Sequence, residues 1–226
     1  MLVQVASVLT AAQVHTVRKL LGAAVWADGR LTAGYRSAEV KTNLQVPQSD
    51  PVAEEAGGLI LRALERNAAF ISATLPHHVY PPLFNRYTPG MAFGEHVDNA
   101  VRQIPGTPHR LRTDVSATLF LSAPEEYDGG ELVIDDLYGS HSVKLAAGDL
   151  IAYPASSLHR VQAVTRGARD AAFFWIQSMV RDAGSRSLLY DLDSSIRELT
   201  VRGADAGSLL RLTGCYHNLL RRWADL

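Results

Sequence analysis

The sequence predicts an α+β chain, mainly β, built on a double-stranded β-helix (jelly roll). Buttressing N-terminal helices precede the barrel and a small C-terminal helical domain follows it. Three observations carry this reading. From residue 82 onward, short apolar stretches recur between the turn clusters Thr88-Pro89-Gly90, Asp128-Gly129-Gly130, Ala147-Gly148-Asp149 and Arg166-Gly167, the punctuation of an antiparallel sandwich or barrel. Before that point, apolar residues recur at helical spacing behind recognisable caps. After residue 180 the pattern returns to helix. The expected division is residues 1–180 for the barrel and 181–226 for the helical domain.

Taken in order, Leu2–Val8 is apolar enough for a short strand. Thr10 is a helix N-cap with Gln13 as its capping-box partner, and Leu9 and Val14 are spaced as a hydrophobic staple. Val14, Val17 and Leu21 continue one face. Residues 27–49 read as loop with short strands. Asp50-Pro51 opens a second helix, with proline in its first turn. The barrel strands are expected at Leu83–Tyr87, Ser116–Leu121, Glu131–Ile134, His141–Lys144, Leu150–Tyr153, His159–Val164 and Ala171–Met179. Arg181–Ser187 is polar and lacks strand character, and Leu188–Leu199 and Ser208–Trp223 read as helices. In the last of these, Leu209, Leu212, Tyr216, Leu219 and Trp223 form an amphipathic stripe. The stripe suits an appendage packed on the barrel, or a homo-oligomer contact.

Composition narrows the classes. Hydrophobic residues make up 47% and charged residues 20% of 226, a globular balance. A net charge of −1 gives no footprint for nucleic acid or an acidic membrane surface. Cys215 is the single cysteine, so no internal disulfide forms, and a buried, inert thiol is expected. Residues 1–8 lack a basic leader and no apolar run reaches the length of a membrane span. These features suggest a soluble, cytoplasmic protein.

The chemistry is expected at His96-Val97-Asp98. A histidine and a carboxylate two residues apart on a strand project to one face. His159, behind a turn, an apolar strand and Pro154, can sit opposite His96. Two imidazoles and one carboxylate on one side of an ion form the arrangement of non-haem Fe(II) oxygenases, which leaves the opposite positions open. Arg169 could grip a carboxylate through two parallel hydrogen bonds, such as the far carboxylate of a 2-oxo acid chelating the iron. Tyr87 could add a hydroxyl, with Asn85 on its face. Other residues read as structural: His77-His78 as a solvated turn, His141 as a strand residue with no acidic partner in register, Asp149 as a stabiliser of its own turn, and Phe173 to Ile176 as core. Val101–Arg112, after the His-x-Asp motif, is a candidate lid.

Together the segments Asn85-Arg86-Tyr87, His96-Val97-Asp98, Asp128-Gly129-Gly130-Glu131-Leu132, Gly148-Asp149, His159-Arg160-Val161 and Arg166-Gly167-Ala168-Arg169 resemble the bacterial PKHD-type Fe(II)/2-oxoglutarate-dependent hydroxylases. This YbiX/PiuC group is related to the prolyl 4-hydroxylase catalytic domain. The resemblance spans nearly the whole chain and extends to that group's C-terminal helices. It implies His96, Asp98 and His159 as iron ligands and catalytic residues, Arg169 as the 2-oxoglutarate anchor, and L-ascorbate as an associated cofactor. O₂ would be the second co-substrate, with succinate and CO₂ as co-products. The primary substrate is left open between a peptidyl side chain and an iron-chelating, siderophore-related molecule. The rival class is a cupin-like iron-binding module without oxygenase activity, and Arg169 separates the two, because a metal binder needs no anchor for a distal carboxylate.

Overall fold

The computed structural model describes residues 1–32, 34–137 and 139–226, and every side chain among them except those of Leu31, Thr32 and Tyr35. The first half runs β1 (Val3–Val5), α1 (Ala11–Gly22), β2 (Ala27–Asp28), α2 (Tyr35–Glu39), β3 (Lys41–Thr42), β4 (Leu44–Gln45), α3 (Pro51–Leu64), α4 (Ala68–Thr74) and β5 (Pro76–Val79). Next come β6 (Leu83–Tyr87), β7 (Ala92–His96), β8 (Val101–Gln103), β9 (Arg110–Arg112), β10 (Val115–Phe120), β11 (Tyr127–Gly129) and β12 (Leu132–Asp136). The chain continues with β13 (Gly139–Val143), β14 (Leu150–Pro154), β15 (Leu158–Val161), β16 (Val164–Gly167) and β17 (Arg169–Ser178). It ends in α5 (Ala183–Val201) and α6 (Ala206–Trp223).

Two antiparallel sheets make the barrel. The larger has the order β1-β14-β10-β17-β6-β4-β2, with β5 added beside β17, and the smaller has the order β13-β12-β15-β7-β3. The chain passes back and forth between them: β6, β10, β14 and β17 lie in the larger sheet, and β7, β12, β13 and β15 in the smaller. That alternation is the jelly roll the turn pattern predicts.

Strand alternation sorts the residues of the larger sheet. Val115, Ala117 and Leu119 of β10, Phe84 of β6, and Ala172, Phe174 and Ile176 of β17 join one buried cluster. Val14, Val17 and Leu21 of α1 and Ile60 and Leu64 of α3 belong to the same cluster. The other phase of the same strands faces the smaller sheet, where Tyr87 and Phe120 meet Leu132, Ile134 and Val161. The strands are therefore buried on both faces, and their near-continuous apolar runs follow from that. Arg169, Ala171, Phe173 and Trp175 share the inward phase. Phe173 and Trp175 thus line the barrel interior, while Phe174 and Ile176 supply the core packing expected of the whole run.

The predicted caps form. Thr10 Oγ1 accepts from the Gln13 amide at 3.3 Å and the Gln13 side chain accepts from the Thr10 amide at 2.8 Å. Asp50 accepts from Val52 N at 2.9 Å ahead of Pro51. Five expectations are corrected. Asp149 reaches beyond its own turn and accepts from Ser7 N at 2.7 Å, pinning the N-terminal segment. His77 and His78 belong to β5, which pairs with β17, so they form no turn. His141 does have an acidic partner, Asp136, at 2.9 Å. Helix α5 begins at Ala183 rather than Leu188, because Asp182 caps it by accepting from Ser185 N at 2.6 Å. Cys215 is exposed, since it lies one residue out of phase with the half-buried stripe of α6.

That stripe packs as an appendage. Tyr216, Leu219, Leu220 and Trp223 lie against Leu75, Val180 and Leu189. Arg186, itself buried, donates to the carbonyls of Val180 and Arg181 at 2.7 and 2.8 Å, tying α5 to the end of the barrel.

Gly167 stands at a close backbone crossing between β16 and β11. Its φ is +72°, and a Cβ there would lie 2.0 Å from the Glu126 carbonyl oxygen. Gly167→Ala should cost about 1–3 kcal/mol through left-handed strain and the clash. The urea midpoint of the purified variant, compared with wild type, measures it.

Candidate functional site

The register of β7 on β15 sets His96 directly opposite His159. Their ring centres are 4.2 Å apart. Each Nδ1 lies within hydrogen-bond distance of a backbone carbonyl two residues earlier, His96 to Gly94 at 2.8 Å and His159 to Ser157 at 3.0 Å. A carbonyl can only accept, so each Nδ1 carries a proton. In the neutral ring this tautomer leaves Nε2 as the nitrogen that can ligate a metal.

Asp98 completes the group from just beyond the end of β7, not from the strand itself as the same-face argument assumes. Its Oδ2 lies 3.8 Å from His159 Nε2 and accepts a 2.6 Å hydrogen bond from Ser116 Oγ on β10. One ligating atom from each of His96, Asp98 and His159 falls within 4.8 Å of the others. Small side-chain rotations bring such a set onto a single ion. Phe93 stacks on His96 at 3.5 Å between ring centres, and Tyr153 meets His159 edge-on at 5.1 Å. Both rings are thereby fixed in orientation. Burial draws the His96 imidazole down to about 4, with His159 beside it pushing the same way. His96 is therefore neutral near pH 7, as a nitrogen ligand must be.

Arg169 opens β17 and pairs with Tyr87 of β6. It is only 1% exposed. Its guanidinium lies 5.4 Å from the centre of the Tyr87 ring and 5.2 Å from that of Phe120. Its Nε and Nη1 have no hydrogen-bond acceptor among the described residues. The neighbouring Asp170 pairs with Arg86 through two 2.7 Å bonds, so it is not the partner of Arg169. A buried cation with N–H groups to spare is costly unless an anion meets it. Gly130 makes room beside it, since a Cβ there would press on Arg169 Cδ at 3.1 Å and on the Tyr127 ring at 3.1 Å. That explains one glycine of the Asp128-Gly129-Gly130 cluster.

One cleft of about 720 Å³, counting its open mouth, is lined by all three members of the His-Asp-His group and by Arg169 and Tyr87. Asn85 lines it too, as the alternation predicts. Sequence reasoning missed Ser116, Lys41, Arg102 and Trp175, which share the lining. Ser116 was legible only as the first residue of a predicted strand. The Val101–Arg112 segment is the hairpin β8–β9 rather than an irregular loop, and Arg102 reaches the cleft from it.

Comparison with known proteins places this geometry in a family. The sequence profile of the 2OG-Fe(II) oxygenase superfamily matches residues 82–177, and that of the PKHD-type hydroxylase C-terminal domain matches residues 183–225. A PKHD-type hydroxylase of Saccharophagus degradans is 56% identical over 225 residues, covering all of both chains. One from Xanthomonas axonopodis pv. citri is 59% identical over 228 residues, again covering both chains in full. The chain belongs to the PKHD-type hydroxylases. As such it is an Fe(II)- and 2-oxoglutarate-dependent dioxygenase that hydroxylates a substrate. Solved structures agree on the fold. A Pseudomonas putida prolyl-4-hydroxylase superposes with a TM-score of 0.53 at 21% identity, over 78% of this chain and 92% of the other. HygX from Streptomyces hygroscopicus, with nickel and 2-oxoglutarate bound, gives 0.54 at 15% identity, over 78% and 82%. Among the described residues, no helix of this hydroxylase is long and apolar enough to cross a membrane.

The depressed His96 value has a sign that can be tested on the metal-free protein. Between about 4 in the folded chain and 6.5 in the unfolded one, the unfolded state binds the extra proton. The stability contribution is complete above 6.5 and is lost as pH falls toward 4. Urea midpoints measured from pH 7.5 down to about 4.5 should therefore fall, and His96→Asn should flatten that slope.

Proposed function

We propose that His96, Asp98 and His159 hold the catalytic Fe(II), and that Arg169, with Tyr87 beside it, receives the distal carboxylate of 2-oxoglutarate. The observation that carries this reading is the buried Arg169 guanidinium, with Nε and Nη1 lacking an acceptor among the described residues, in the same cleft as the His-Asp-His group. A metal-binding module without turnover has no use for that cation. The donor set, two imidazole nitrogens and one carboxylate oxygen, suits Fe(II) and leaves the rest of its coordination sphere facing the cleft. When bound, iron and 2-oxoglutarate would, with O₂ as oxidant, supply an oxidative decarboxylation that places one oxygen atom in succinate, releases CO₂ and delivers the other oxygen atom to a substrate C–H bond.

The chain's own residues make the site ready. The carbonyls of Gly94 and Ser157 hold both imidazoles in the ligating tautomer. Ser116 fixes Asp98 by donating to Oδ2, which leaves the second oxygen and one lone pair of the first for the ion. Burial pushes the Tyr87 phenol up to about 12 against the pull of Arg169, so Tyr87 stays neutral and can donate a hydrogen bond to a carboxylate. The apolar walls from Leu132 and Val161 exclude water from the co-substrate and sharpen the grip of Arg169.

The finer features follow the same reading. We assign residues 1–180 to the catalytic barrel and 181–226 to a C-terminal helical domain, supported by the cap at Asp182 and the two separate profile matches. The primary substrate is a peptidyl side chain or a small iron-chelating molecule. L-ascorbate is a family implication: it would keep the iron reduced, and no residue of the cleft is assigned to it. A cytoplasmic home suits the lone exposed thiol of Cys215. Apolar side chains left exposed on α5 and α6, among them Leu188, Val201 and Leu210, would suit a homo-oligomer contact.

His96→Ala and His159→Ala should each abolish tight Fe(II) binding while leaving the far-ultraviolet circular dichroism unchanged. Unfolding of both would instead make them core residues. Arg169→Ala should raise the KM for 2-oxoglutarate by at least about tenfold, the loss of a charge-assisted pair, in an assay of succinate release. An iron-loaded wild type that neither binds nor turns over 2-oxoglutarate would end the assignment.

A further inference from the structure

Two more cations face the cleft, and the co-substrate does not account for them. Lys41 is 5% exposed. It pairs across from Phe93, and its Nζ stands 5.1 Å from the centre of the Phe93 ring, the same ring that stacks on His96. Arg102 comes from the β8–β9 hairpin and lays its guanidinium 3.7 Å from the centre of the Trp175 ring and 5.6 Å from that of Tyr80. Trp175 is itself braced by edge contacts with Tyr80 and Phe173. The Tyr80 hydroxyl donates to the Gln103 carbonyl at 3.3 Å. That packing holds the guanidinium against the Trp175 ring. A flat, oriented fork is what two-point recognition of a carboxylate or similar oxyanion needs.

The charge of the lining points the same way. Among the described residues, the cleft is lined by three cations, Lys41, Arg102 and Arg169, and by one carboxylate, Asp98. On the assignment above, the two carboxylates of 2-oxoglutarate go to the metal and to Arg169, and Lys41 and Arg102 are two further positive side chains on the lining. Burial lowers both, Lys41 to about 8, while Asp98 and Asp28 raise Lys41 and Tyr80 and Asp98 raise Arg102. Arg102 also lowers Lys41, so the two cations lie within electrostatic reach of each other and of the metal site. Like charges converging on one cleft attract an anion to the space between them.

We propose that the primary substrate carries a carboxylate or like planar oxyanion that seats between Arg102 and Lys41, with Trp175 and Phe173 as the apolar wall for its carbon skeleton. This rests on the assignment of the metal and of 2-oxoglutarate above. The anion is held on the hairpin side, and the reacting C–H bond is thereby directed toward the His-Asp-His group.

The test uses full-length protein loaded with Mn(II), which does not turn over, and saturated with 2-oxoglutarate. Benzoate and benzamide differ in charge and little in shape, and paramagnetic relaxation of their ring protons reports approach to the metal. Benzoate should bind at least about tenfold more tightly than benzamide. Arg102→Gln and Lys41→Gln should each weaken benzoate about tenfold, with 2-oxoglutarate affinity by calorimetry unchanged. Arg102→Lys, which keeps the charge and loses the fork, should fall between. Benzoate relaxing no faster than benzamide, or both glutamine variants binding benzoate like wild type, would overturn the proposal. Should Arg102→Gln disturb the hairpin, seen as lost 2-oxoglutarate affinity, Arg102→Lys decides, and wild-type benzoate affinity there overturns the two-point seat. Failure of wild type to take up Mn(II) or 2-oxoglutarate sinks the underlying site assignment instead.

Discussion

The pairing of β7 with β15 is the constraint on which the site depends. It sets His96 against His159, and a slip of one residue would turn one imidazole out of the barrel. Several contacts lock the register. Val161 faces Phe93 in the same ladder, Ile134 lies opposite His159 on the other flank, and both Val161 and Ile134 are buried between the sheets. The proposed metal ligands thus inherit their spacing from hydrophobic packing. Their tautomers come from the backbone, through carbonyls that the same strand and turn hold in place.

A second constraint is electrostatic. Burying Arg169 at the start of β17 is unfavourable for the isolated chain, because its Nε and Nη1 give up water without gaining an acceptor among the described residues. The fold tolerates it by surrounding the guanidinium with the faces of Tyr87 and Phe120 and by letting Gly130 yield space. On the proposed reading, an entering carboxylate would supply the acceptors these two groups lack.

Much of this was legible from residue order. The turn clusters marked the barrel strands, the capping residues marked α1 and α3, and the set His96, Asp98, His159 and Arg169 stood out because chemistry of that kind uses those side chains in that order. What stayed hidden depends on contacts between distant segments. Lys41 sits in a region that reads as loop, and only the β3–β7 pairing brings it beside Phe93. Arg102 lies in a polar stretch with no periodicity, and the hairpin becomes visible only once both its strands are seen. Ser116 is an ordinary strand residue until Asp98 is found above it. Asp98 was placed correctly near His96 for an incorrect reason, since the strand ends before it. The start of α5 was missed because an apolar pattern begins later than the cap that nucleates the helix.

The origin of the cleft's two rims has an evolutionary consequence. The residues that would manage iron and 2-oxoglutarate sit on or beside paired barrel strands, their own side chains buried or half-buried, where substitution disturbs packing. Arg102 sits on a two-stranded hairpin whose tip, from Pro105 to Arg110, is exposed and contributes little to the core. Length and sequence can drift there without unsettling the reaction chamber. Relatives could therefore change what they accept while keeping how they react, by rewriting a dozen residues at the rim and leaving the sheets alone.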